Sequence, residues 1–144
     1  MIDKTIAVSG GFDPIHVGHV RMILDASRLG DVIVIINSDE WLLRKKGYVF
    51  MPWNERAEII KSISGVLKVV LADDDDGTVC NTLSDLKREL NLDIFANGGD
   101  RVQGNTPEMD VCKDLDIDMV WNVGGEKIQS SSDLVSSSKR SPWA

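Results

Sequence analysis

No stretch of this chain approaches the ~20 consecutive apolar residues that a membrane-spanning helix needs, which excludes a helical membrane protein. The first residues, Met1-Ile2-Asp3-Lys4, lack the basic-then-apolar layout of a secretory signal, so a cytoplasmic location is expected. Basic charge is in deficit: 16 Lys and Arg stand against 23 Asp and Glu, a formal net charge of -7. Proteins that wrap nucleic acid carry a basic balance or a long basic stripe, so no polynucleotide partner is expected. A nucleotide remains open, because a few local cations can hold a triphosphate inside an acidic protein. Cysteine is scarce. Cys80 and Cys112 lie far apart, each among apolar residues at helical spacing, and read as buried free thiols rather than a disulfide or a metal site. Internal repeats and linkers are absent from residues 1–130, and 144 residues suffice for one domain but not two.

What is present alternates. Thr5-Ile6-Ala7-Val8 is a short apolar run closed by Ser9-Gly10-Gly11, a buried strand and a turn. Residues 17, 20, 23, 24 and 26 are apolar and predict an amphipathic helix from Val17 to Leu29, stopped by Gly30. Val32 to Ile36 is continuous and β-branched, as a strand covered on both faces reads. A polar loop is expected from Asn37 to Pro52, then a helix from Trp53 that turns Ala57, Ile60 and Ile63 inward. Val66–Leu71 predicts a strand, Asp73–Asp76 a solvated acidic turn, and Thr78 the cap of a helix bearing Val79, Leu83, Leu86 and Leu90. Asp93–Ala96 predicts a strand, Glu108–Leu115 a helix and Met119–Val123 a last strand. The expectation is a single Rossmann-like α/β domain over residues 1–135, a five-stranded parallel sheet with helices on both faces. A Ser-rich tail over 136–144 follows it. Ligands of such sheets sit at the carboxyl ends of the strands, where strand order reverses. The polar motifs below each follow a predicted strand.

The strongest of them is Gly10-Gly11-Phe12-Asp13-Pro14-Ile15-His16-Val17-Gly18-His19. Gly10 and Gly11 allow a sharp turn close to a ligand. His16 and His19 are the only histidines in the chain, and their spacing of three puts both rings on one side of a first helical turn. A helix start offers free N–H groups and a positive dipole end, a natural phosphate site. Gly18 keeps the surface between the rings flat. Two donors then converge on one phosphate as its charge grows in an in-line displacement. A paired-histidine metal site lacks an obvious third ligand.

This motif resembles the signature of the nucleotidyltransferase superfamily with the His-x-Gly-His element, and the resemblance runs from Ile6 to about Val135. Further matching pieces are Asn37-Ser38-Asp39-Glu40, Lys45-Lys46-Gly47, Asn54-Glu55-Arg56, Asn97-Gly98-Gly99-Asp100 and Ser130-Ser131-Ser132. They favour the cytidylyltransferase and heptose-phosphate adenylyltransferase branches, whereas Phe12-Asp13-Pro14 looks more like the nicotinamide and pantetheine branches. The resemblance implies transfer of AMP or CMP from ATP or CTP to a phosphorylated small molecule, with release of pyrophosphate. It implies His16, His19, Lys46 and Arg56 as catalytic residues, and Mg²⁺ arriving with the triphosphate. Nucleotide-binding positions are Gly10, Gly11, Phe12, Asp13, Gly18, Gly99, Asp100, Ser130, Ser131 and Ser132; substrate-binding positions are Asp39, Lys45 and Lys127. Lys127 is the one cation in a stretch where the cytidylyltransferases carry an arginine. On physical grounds alone Asp39 can hold substrate or a loop amide, or simply turn the chain, and Arg56 sits where a cation opposes the helix dipole unless a phosphate is present. The rival readings are an enzyme of the same fold acting on nicotinamide or pantetheine phosphates and a binding protein that kept the fold without the activity. Tyr48-Val49-Phe50-Met51-Pro52-Trp53 is an apolar cluster between polar stretches. With Trp143 it suggests a homodimer, the alternative being a lid over the site.

Overall fold

The computed structural model describes residues 4–98, 106–124 and 131–140. Strands β1 (Thr5–Gly10), β2 (Asp31–Ile36), β3 (Val66–Leu71), β4 (Ile94–Gly98) and β5 (Asp118–Val123) alternate with helices α1 (Val17–Ala26), α2 (Asp39–Lys46), α3 (Trp53–Lys61), α4 (Cys80–Leu90), α5 (Pro107–Asp114) and α6 (Ser131–Arg140). The strands form one five-stranded parallel sheet in the order β3-β2-β1-β4-β5. β1 is therefore central, pairing with β2 from Thr5↔Asp31 to Gly10↔Ile36 and with β4 at Ile6↔Ile94 and Ala7↔Phe95.

Side-chain alternation along β1 and β2 divides the core in two. Ile6, Val8, Val32, Val34 and Ile36 pack with Ile23 and Ala26 of α1 and Ile60 of α3 on one face. Ala7, Ile33, Ile35 and Phe95 pack with Leu83 and Leu86 of α4 and Cys112 of α5 on the other. Both faces are covered, which is why β2 could be written as five consecutive β-branched residues. The expected α/β architecture is the one observed.

Four expectations are corrected. The segment 37–52 is not all loop, since it holds α2. That helix is specified by its ends rather than by an apolar stripe. The Ser38 hydroxyl accepts from the Trp41 amide at 3.0 Å, Asp39 and Glu40 occupy the first turn, Arg44, Lys45 and Lys46 the last, and Gly47 closes it at φ 83°. Only Leu42 of α2 is buried, so its periodicity is silent. The acidic turn is not wholly solvated, because Asp74 is buried. Its carboxylate accepts from Asn37 Nδ2 (3.1 Å), the Ser38 amide (2.9 Å) and the Ser38 hydroxyl (2.6 Å), locking the end of β2 to the end of β3. The serine-rich segment after residue 135 is not a tail from its first residue, since α6 continues to Arg140. The first helix also stops early, at Ala26.

Candidate active site

The sheet order places a reversal between β1 and β4: the chain leaves β1 toward β2 and leaves β4 toward β5, on opposite faces. The carboxyl ends of these two strands bound the crevice in which doubly wound sheets take ligands. The Gly10–His19 motif forms one wall of it.

Space explains both glycines. A Cβ on Gly10 would come within 3.1 Å of the Phe12 ring, and one on Gly11 within 3.1 Å of Leu42 Cδ2. Phe12 is buried at φ 52°, and its ring stands edge-on to His19 with centroids 4.8 Å apart. Asp13 is buried, and its two carboxylate oxygens accept from the amides of Phe50 (2.7 Å) and Met51. The aspartate thus fastens the motif to the segment ahead of α3 rather than facing a ligand.

The histidines make a reciprocal cap on α1. His16 Nδ1 accepts from the Gly18 amide at 3.1 Å, and His19 Nδ1 accepts from the His16 amide at 3.2 Å. An imidazole nitrogen that accepts carries no proton, so each ring keeps its proton on Nε2. The rings stack, centroids 3.8 Å apart and 22° from parallel. Burial, followed by repulsion from His16 and from Lys46, holds the His19 imidazole down at about 3. His19 is consequently a neutral Nε2–H donor at physiological pH.

Lys46 is half-buried in the last turn of α2, near enough to act on His19. Its neighbour Lys45 is exposed and reaches over the Trp41 ring, with Nζ 6.0 Å from the centroid. The structure brings Lys46 to the histidines and turns Lys45 elsewhere.

Arg56 is corrected most sharply. It is 0% exposed and does not point outward as a free phosphate-binding cation. Its Nε donates to the Met51 carbonyl (2.9 Å), Nη1 to the carbonyls of Gly11 (2.7 Å) and Asn37 (2.8 Å), and Nη2 to Asp39 Oδ1 (2.6 Å). The guanidinium fork, rich in donors, gathers carbonyls that the ends of β1 and β2 leave unpaired. Asp39 is accordingly its partner. The network of Arg56, Asp39, Asp13 and Asp74 went unseen in the sequence. The one clue was a cation at a helix start, which demanded some local acceptor.

Ser131 opens α6 and donates its hydroxyl to the Pro14 carbonyl at 2.6 Å, seating the serine motif against the histidine turn. Ser132 is exposed. Gly99, Asp100, Lys127, Ser130 and Trp143 lie outside the described residues. At the mouth of β4, Asn97 is buried, and among the described residues its Nδ2 has no hydrogen-bond partner. Among the described residues no group of three or more His, Cys, Asp or Glu is placed to hold a metal ion, and no helix is long and apolar enough to cross a membrane. Both cysteines are free thiols, Cys112 buried and Cys80 half-buried.

Fold and site together define a Rossmann-like domain with a stacked, helix-capping histidine pair beside its strand-order reversal. A family model described as Cytidylyltransferase-like matches residues 7–137. The chain is 40% identical over 116 residues to the bifunctional protein HldE of Syntrophotalea carbinolica, covering 78% of this chain and 22% of that protein. It is 38% identical over 98 residues to the FAD synthase of Pyrococcus horikoshii, covering 67% of this chain and 63% of that one. The chain thus spans only part of each of these relatives. In structure it is similar to the lipopolysaccharide core biosynthesis protein of Thermoplasma volcanium, with a TM-score of 0.64 at 21% identity over 83% of this chain and 95% of that one. The chain belongs to the cytidylyltransferase-like family of nucleotidyltransferases.

Proposed function

We propose that this chain transfers AMP or CMP from ATP or CTP to a small phosphorylated acceptor, a sugar phosphate or polyol phosphate, and releases pyrophosphate. The observation that carries this is the capped histidine pair. Both Nδ1 atoms are committed to the helix start, the two rings stack with centroids 3.8 Å apart, and burial keeps His19 a neutral Nε2–H donor. An acceptor phosphate oxygen attacks the α-phosphorus. The bond from that phosphorus to the bridging oxygen of the β-phosphate breaks, and pyrophosphate leaves with the electron pair. His16 and His19 donate to the α-phosphate oxygens as their charge grows. Lys46 supplies a cation beside them, and the amides of the Gly10–Gly18 turn line the same wall.

Arg56 and Asp39 serve this reaction as positioning residues, holding the turn and α2 in place. Gly99, Asp100, Ser130 and Ser132 are assigned to the nucleotide, and Lys45 and Lys127 to the acceptor. Mg²⁺ suits this site as an ion borne by the triphosphate. The buried carboxylates near the turn, Asp13 and Asp74, are taken up by amides and hydroxyls, so phosphate oxygens and water would supply its ligands. Its contribution there would be to neutralise phosphate charge. The working unit is a homodimer.

Pyrophosphate release tests this reading, with ATP and CTP each crossed with a panel of sugar phosphates, polyol phosphates and, because FAD synthases are among the relatives, flavin mononucleotide. Release with one pair identifies base and acceptor. Tight nucleotide binding with no release across the panel would favour a binding protein.

A further inference from the structure

We propose that Asn97 reads the uncharged, nucleoside half of the bound triphosphate, its Nδ2 donating to a ribose oxygen or a base acceptor atom; this rests on the nucleotidyl-transfer reading above. Asn97 is the penultimate residue of β4 and only 4% exposed. Among the described residues, its Nδ2 is the buried side-chain polar atom with no hydrogen-bond partner. Folded proteins keep few such groups, because each forfeits its bonds to water without replacement. The fold does satisfy a comparable amide nearby: Asn37, just past the end of β2, is also buried, and its Nδ2 is paired with Asp74 at 3.1 Å.

Its position says what the partner is. Asn97 stands at the carboxyl end of β4, where the pairing of β4 with β5 shifts register between Ala96 and Gly98. The β1–β4 pairing runs from Ile6↔Ile94 to Ala7↔Phe95, and Asn97 lies two residues further toward the carboxyl end of β4. Asn97 therefore borders the reversal between β1 and β4, while the histidine pair leaves β1 toward the α1 face. A nucleotide whose α-phosphate meets the histidines lies across this crevice and reaches β4 with one of its arms. The pyrophosphate arm is highly charged and calls for cations, and Lys46 stands on the side of α2. A neutral amide adds no charge but discriminates strongly among uncharged groups, since a ligand lacking the matching atom leaves it unpaired. The nucleoside is the arm that fits.

Two measurements on the full chain test this. Asn97→Leu replaces the unpaired amide with an apolar group of similar shape. Without ligand, its melting temperature is expected to rise by roughly 2–4 °C, whereas a structural role for the amide would make it fall. Calorimetry with ATP and CTP is expected to show affinity reduced about tenfold, the scale of one lost buried hydrogen bond, with affinity for inorganic tripolyphosphate unchanged. Asn97→Ala should give the same pattern of binding if leucine fits poorly. Loss of the wild-type preference for ATP over its 2′,3′-dideoxy analogue would place the contact on the ribose. Loss of the preference between ATP and CTP would place it on the base. Equal losses for tripolyphosphate and nucleotides, or no loss for either, would overturn the proposal. A wild-type chain that binds nucleotides but never releases pyrophosphate would sink the transfer reading while leaving the Asn97 comparison intact.

Discussion

In the proposed reaction His16 has two tasks that draw on different nitrogens. Its Nδ1 caps α1, and its Nε2 is the one assigned to the α-phosphate. Substitutions can separate them. His16→Ala is expected to lose roughly 10²-fold or more in kcat and about 1 kcal/mol of stability with the cap. His16→Asn keeps a capping acceptor, so its melting temperature should stay near wild type while turnover remains low. Steady-state kinetics beside thermal melts check this, and normal turnover in the asparagine variant would clear His16 of a catalytic role. His19 makes a second prediction, through pH. Its folded value of about 3 lies below the ordinary 6.5, because burial, His16 and Lys46 all oppose its protonation. Between those values the unfolded chain binds the extra proton. Its contribution to stability is therefore complete above pH 6.5 and is lost as pH falls toward 3. Urea titrations across that range should show a steeper acid loss in wild type than in His19→Gln, and identical slopes would contradict the assignment.

At the scale of elements, α2 and the segment before α3 are held to the sheet by buried polar bonds rather than by apolar area. Arg56 alone ties the turn after β1, the end of β2, residue 51 and α2 together. Arg56→Ala should cost about 3–5 kcal/mol, since it leaves Asp39 and three carbonyls without their donor. Arg56→Lys should recover only part of that, because an ammonium cannot reproduce the fork. Chemical denaturation measures both, and a loss under about 1 kcal/mol for the alanine variant would show that the network is dispensable. The same elements mark where sequence reasoning reached and where it stopped. The strands were legible because burial on both faces forces runs such as Val32–Ile36, and the histidine motif because its only sensible home is a turn and a helix start. α2 was not legible by periodicity, since a helix with one buried residue has no stripe to read. Its capping serine and its acidic-then-basic ends were the available signal. The inward turn of Arg56 and the burial of Asp74 depend on carbonyls and amides from segments distant in sequence, and side-chain spacing does not encode those.

For the whole molecule, the open matter is what covers its apolar surface. Phe50 is 53% exposed and Trp53 44%, both beside the segment that Asp13 fastens down. A lid closing on its own site would bury them when nucleotide binds; a partner would bury them at all times. A second surface competes, because β3 is an edge strand whose Leu67 and Leu71 are 58% and 44% exposed. An uncovered edge with apolar side chains invites pairing with another chain. The expected outcome is a homodimer at micromolar concentration, with an assembly built on the aromatic cluster loosened by Trp53→Ser and left intact by Leu67→Lys. The reverse pattern would move the interface to the β3 edge. Light scattering on the intact chain and both variants, with and without nucleotide, decides between them. A monomeric mass for the intact chain would remove the dimer, and quenching of Trp53 fluorescence exposure on adding nucleotide would then identify the segment as a lid.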